Sequence, residues 1–153
     1  MLGYDNEAAT RKVLMRHEDG KMWLHMGDTG YMNEDGNVFV LSRGKSPRHG
    51  GGYLDTLHLE NQVADAEIKG IDDEFFVVIP DRDHPGCFLP YLYVALEDGY
   101  SVDSVRDQVN EALEPHMRPV EILSVPSRPF FHFKTNRVGL TKELLDAQAR
   151  RSA

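Results

Sequence analysis

Apolar and polar positions alternate along this chain in short, distinct patterns, and each pattern predicts an element. Over residues 5–17, Ala9, Val13 and Arg16 return to one face at helical spacing and Asn6 is placed to cap, so a helix is expected. Asp19-Gly20 is a turn, and Lys21–His25, around Trp23, is a short strand. Asn33-Glu34-Asp35-Gly36 is a second turn before a strand over Asn37–Ser42. Two short strands and an Asp-Gly turn predict a hairpin.

Gly44–Gly52 breaks the pattern. It reads Gly-Lys-Ser-Pro-Arg-His-Gly-Gly-Gly, with no apolar residue but Pro47, and is expected to be a loop at a domain boundary. Beyond it, Leu59, Val63 and Ala66 share a face, predicting a helix over about 56–68 capped by Thr56. Phe75–Ile79 is a continuous apolar run, as in a strand buried on both sides, and Tyr91–Leu96 is another strand. Ser101 precedes a helix over about 102–114 whose apolar face is Val102, Val105, Val109 and Leu113. Pro119–Val125 is a further strand. Thr141 is expected to cap a last helix, with Leu140 and Leu145 as a hydrophobic staple. The order helix, strand, strand, helix, strand, helix predicts an α+β fold with one central sheet covered by helices. No internal repeat is present.

Composition narrows the class. The chain has 153 residues and is 41% hydrophobic, enough for a packed core. A net charge of −8 argues against broad nucleic-acid or anionic-membrane binding. The single cysteine, Cys87, cannot form an internal disulfide. No apolar run approaches the roughly 20 residues that span a bilayer, and the N-terminus does not read as a signal peptide, so a cytoplasmic protein is expected.

Several residues carry chemistry. Asp28, beside Gly27, is a carboxylate able to accept both hydroxyls of a ribose, and Arg43 stands at the far end of the next hairpin. Gly50-Gly51-Gly52 allows a tight turn with exposed amides, suited to a passing ligand chain or phosphate. Arg48 and His49 adjoin it and are candidates for a phosphate contact. The histidines show no pair spacing typical of a metal site, and with one cysteine no structural zinc is expected. Neither a Walker loop nor a Gly-x-Ser-x-Gly elbow occurs.

The run His25-Met26-Gly27-Asp28-Thr29-Gly30-Tyr31, followed by Ser42-Arg43-Gly44-Lys45, resembles the ribose-binding and hinge region of the adenylate-forming enzymes. That family comprises acyl-CoA synthetases, firefly luciferase and peptide-synthetase adenylation domains. Phe133-Lys134-Thr135-Asn136-Arg137-Val138-Gly139-Leu140 is similar to the family's terminal Gly-Lys-x-x-Arg-x-x-Leu motif. The resemblance runs from Gly3-Tyr4-Asp5-Asn6 to Leu140. Met26 replaces the family's usual threonine and Phe133 its usual glycine.

The resemblance implies the C-terminal portion of a longer enzyme. Residues 1–43 would be the tail of the large adenylation domain, 44–52 the hinge and glycine loop, and 53–153 the lid domain. It further implies that Asp28 and Arg43 bind the adenylate ribose and that Lys45 is the hinge. Gly50, Gly51 and Gly52 would line the pantetheine tunnel. Lys134 would meet the carboxylate and α-phosphate during adenylation, with Arg137 as the alternative. The whole enzyme would use ATP with Mg2+, CoA and a small carboxylic acid, and this part alone would be inactive. The competing expectation is a non-catalytic module that docks on an adenylating partner.

Overall fold

The computed structural model describes residues 3–43, 47–131 and 133–151, and the chain divides into two compact units, Met1–Lys45 and Ser46–Ala153.

In the first unit, helix α1 covers Glu7–Val13, with the Asn6 side chain accepting from the Ala9 N–H. It is shorter than its spacing predicts, because Leu14–Arg16 forms strand β1 and pairs antiparallel with β2, Met22–Leu24. The Met15↔Trp23 cross-strand pair and the Asp19-Gly20 turn win over continued helix. Strand β3, Asp28–Met32, pairs with β4, Val38–Arg43. The expected pairing of the Trp23 strand with the 37–42 strand is therefore corrected. There are two hairpins, and each strand pairs across its own nearest turn. None of the residues of this unit whose side chains are described is buried.

The second unit opens with a miniature hairpin, β5 (Arg48–His49) and β6 (Gly52–Tyr53). The expected loop over 44–52 is thus strand-paired from Arg48 onward. Helix α2 follows at Thr56–Asp65. Its cap is Asp55 rather than Thr56; the Asp55 carboxylate accepts from the Leu57 and His58 N–H groups. Strands β7 (Ile71–Pro80) and β8 (Phe88–Leu96) run antiparallel. Helix α3, Val102–Ala112, starts with a reciprocal Ser101–Ser104 capping box. Strand β9, Glu121–Ser124, pairs parallel with β8, giving a three-stranded sheet of order β7-β8-β9. A second miniature hairpin, β10 (Phe130–Phe131) and β11 (Lys134–Thr135), leads into α4, Arg137–Arg151. Asn136 supplies the capping bond of α4, its side chain accepting from the Gly139 N–H, so Thr141 lies inside the helix instead of capping it.

The sheet is buried on both faces, which explains the continuous apolar runs in β7 and β8. On one face Phe76, Leu92, Val94 and Ile122 pack with Leu59 and Val63 of α2 and Val105 and Val109 of α3. On the other, Phe75, Val77, Ile79, Tyr91 and Tyr93 pack with Leu140 and Leu144 of α4. Burial pushes the Tyr93 hydroxyl up to about 12. The period of two along β7 divides consecutive phenylalanines between the two cores.

Among the described residues strand β7 has a single sheet neighbour, so its other edge needs partners for its backbone. Arg128 supplies one set, donating to the Asp73 carboxylate at 2.8 and 2.5 Å and to the Glu74 carbonyl at 2.5 Å. The hydrogen bonds from Arg128 hold the Asp73 carboxyl below its ordinary value, while burial raises that of Glu74.

Leu92, fully buried, is expected to lose about 3 kcal/mol as Leu92→Ala in urea unfolding of the chain. Val138→Ala, on the exposed side of α4, should stay within about 0.5 kcal/mol. A carboxyl whose value is lowered by folding stabilises above its unfolded value and loses that contribution as pH falls through the folded one. Asp73→Asn should therefore lower the thermal midpoint near neutral pH. The gap from wild type should close on acidification below 3.8, the ordinary aspartate value. A gap unchanged at low pH would deny the Arg128 pairing.

Candidate functional site

The first group lies on the β3–β4 hairpin. Backbone register sets Asp28 directly opposite Arg43 at the open end of the pair. Asp28 is exposed and Met26 beside it is 63% exposed. On the same unit, Tyr31 and Phe39 stack at 5.0 Å between ring centroids. Lys45 and its neighbours Gly44 and Ser46 lie outside the described residues.

The second group is the glycine turn between β5 and β6. Gly50 and Gly51 have φ of 52° and 88°, a left-handed pair that side-chain-bearing residues rarely adopt. Gly52 is fixed by space: a Cβ there would come within 2.1 Å of the His116 ring. His116, which the sequence reading left without a role, thus forms the wall of this turn. The Leu54 N–H donates to the Pro47 carbonyl at 2.7 Å and closes the base. Arg48 is not a free cation: its Nη2 donates to the Tyr53 hydroxyl at 2.6 Å. His49 is half-buried beside it.

The third group surrounds Lys134. It lies on β11, opposite Phe131, and is exposed. Phe133 just before it has φ of 63° and is completely exposed. A non-glycine residue in that region costs about 1–2 kcal/mol, so Phe133 keeps the backbone shape a glycine would adopt freely. Arg137, three residues on, turns back onto β7 and α2. Its Nη2 donates to Glu60 Oε1 at 2.6 Å and its Nε to the Phe76 carbonyl at 3.1 Å. Glu60 Oε1 also accepts from the Phe76 N–H at 2.8 Å.

These contacts divide the basic residues by task. Lys134 is left facing solvent while Arg137 is committed to Glu60 and β7. Arg128 and Asp73, 55 residues apart, carried no local signal in the sequence. Among the described residues no group of three or more His, Cys, Asp or Glu could hold a metal ion, and no helix is long and apolar enough to cross a membrane.

No protein-family model matches the chain. It is 33% identical over 128 residues to luciferin 4-monooxygenase of Luciola mingrelica, covering 77% of this chain and 21% of that protein. It is 31% identical over 120 residues to 4-coumarate–CoA ligase 1 of Glycine max, covering 72% of this chain and 36% of that one. The chain thus spans well under half of the curated relatives it matches. ATP-bound MatB from Rhodopseudomonas palustris matches 92% of this chain and 27% of its own, with a TM-score of 0.71 at 20% identity, a likeness of fold. Sequence and fold together place the chain among the adenylate-forming enzymes, as a counterpart of their C-terminal portion.

Proposed function

We propose that this chain is the C-terminal part of an ATP-dependent acyl-CoA synthetase. The whole enzyme would join a small carboxylic acid to ATP, releasing pyrophosphate, and then pass the acyl group from AMP to the thiol of CoA. The observation that carries the reading is the state of Lys134. It is exposed on a short hairpin, while Arg137 beside it is tied to Glu60 and the Phe76 carbonyl.

In this reading Lys134 donates to the carboxylate and the α-phosphate as charge builds there. Arg137, the alternative for that role, holds the helix start instead. Asp28 and Arg43 accept and donate to the ribose hydroxyls, a role supported by their opposed register on β3 and β4. Lys45 is the hinge, a role supported by its place at the boundary between the two units. Rotation there withdraws Lys134 and brings the Gly50–Gly52 turn to the thiol tunnel, with Arg48 and His49 near the CoA phosphates. Mg2+ arrives with the ATP phosphates. The large adenylation domain is the partner of this part, and residues 1–43 are its tail. The isolated chain is inactive because the carboxylate and adenine pockets belong to that partner.

A second reading keeps the fold and drops the catalysis. Met26 and Phe133 depart from the family pattern at two of its motifs, as expected of a module that only docks on an adenylating subunit.

The two readings separate in the full-length polypeptide. Lys134→Ala is expected to lower acid-dependent pyrophosphate exchange by about 10²–10³-fold, the size of losing one preorganised charge contact. Thioester formation from supplied acyl-adenylate should persist. Exchange equal to wild type would remove Lys134 from the reaction and favour the docking module.

A further inference from the structure

Two arginines, Arg128 before the Lys134 hairpin and Arg137 after it, reach the same edge of β7. Arg128 stands two residues before β10. Its Nε and Nη2 take the two oxygens of Asp73, at 2.8 and 2.5 Å. Nη2 also donates to the Glu74 carbonyl, and its guanidinium lies over the Phe75 ring at 5.1 Å. The remaining nitrogen, Nη1, donates to Thr135 Oγ1 at 3.3 Å. Every nitrogen of the fork is therefore used, and one of them grips the residue next to Lys134.

The hairpin needs such a grip. It has two residue pairs, Phe130↔Thr135 and Phe131↔Lys134, and its base is closed by the Asn136 N–H on the Pro129 carbonyl at 2.8 Å. Phe133 in its turn carries a left-handed backbone at a cost. Isolated two-stranded ribbons are marginal in water, and a ribbon this short has no core of its own. Arg137 anchors only the exit of the hairpin, through Glu60 and the Phe76 carbonyl. Its entry and its second strand are fixed to β7 by Arg128.

We infer that Arg128, held by Asp73 and bonded to Thr135, is a positioning residue that fixes the β10–β11 hairpin so that Lys134 presents its ammonium for adenylation. This rests on the role proposed for Lys134. A planar, five-donor fork suits the task, because a lysine could satisfy Asp73 or Thr135 but not both with the same geometry. The coupling is specific to one half of the chemistry, since Lys134 serves only the adenylation step.

The test is half-reaction kinetics in the full-length enzyme. Arg128→Ala should lower kcat for acid-dependent pyrophosphate exchange by about 10–100-fold, in keeping with the cost of misplacing a catalytic group by roughly 1 Å. KM for ATP and acid should stay within about twofold, and thioester formation from supplied acyl-adenylate should be retained. Arg128→Lys should fall in between. Thr135→Val, which removes only the bond to the hairpin, should lower exchange by about 3–10-fold and decides the matter if Arg128→Ala does not fold. Unchanged exchange in Thr135→Val, or equal losses in both half-reactions for either variant, would overturn the inference. If Lys134→Ala itself leaves exchange intact, it is the functional reading that fails, not the geometry of the clamp.

Discussion

The second unit depends on how one open sheet edge is closed. Strand β7 has β8 on one side and no strand on the other among the described residues. Its outward backbone groups at Glu74 and Phe76 are met by Arg128, Glu60 and Arg137. An unpaired edge would be costly and sticky. Closing it with side chains instead of a fourth strand has a structural consequence. The segments supplying those side chains, α2, the approach to β10 and the start of α4, are bound to one another through β7. The Lys134 hairpin sits where two of them meet. The same ion pairs that satisfy the edge thus determine where an exposed lysine stands.

How much of this was legible in the sequence follows from the range of each interaction. Strands β7 and β8 were readable because burial on both faces leaves an uninterrupted apolar run. Helix α3 was readable because Ser101 and its apolar face are local. Helix α1 was overestimated because β1 is formed by a pairing with Trp23, which lies beyond its own periodicity. The start of α4 was misplaced because Asn136 and Thr141 are both able to cap, and it is the Asn136 side chain that accepts from the Gly139 N–H. At the site, Asp28, Arg43 and Lys134 stood out through motif spacing. Arg128 with Asp73, and His116 against Gly52, left no local signal, because each joins segments far apart in the chain.

The two units differ in a way that bears on function. The second holds both cores, while none of the residues of the first whose side chains are described is buried. Trp23, Tyr31 and Phe39 of the first unit are each 44% exposed or more. Large apolar side chains left in water on a small unit are the sign of a surface that belongs against something else. In a synthetase that surface would continue into the large domain, and the boundary at Lys45 and Ser46 would separate a fixed part from a moving one. Phe133, exposed in a glycine-like conformation beside Lys134, is the clearest departure from the family pattern in the second unit.

The most direct measurement is the mass of the native polypeptide in its source cells, detected with an antibody against this chain. As the C-terminal part of a synthetase it should appear in a band of about 55–65 kDa, one large domain added to this one. A band at the 17.4 kDa of the chain alone would contradict that account and turn attention to a separate adenylating subunit.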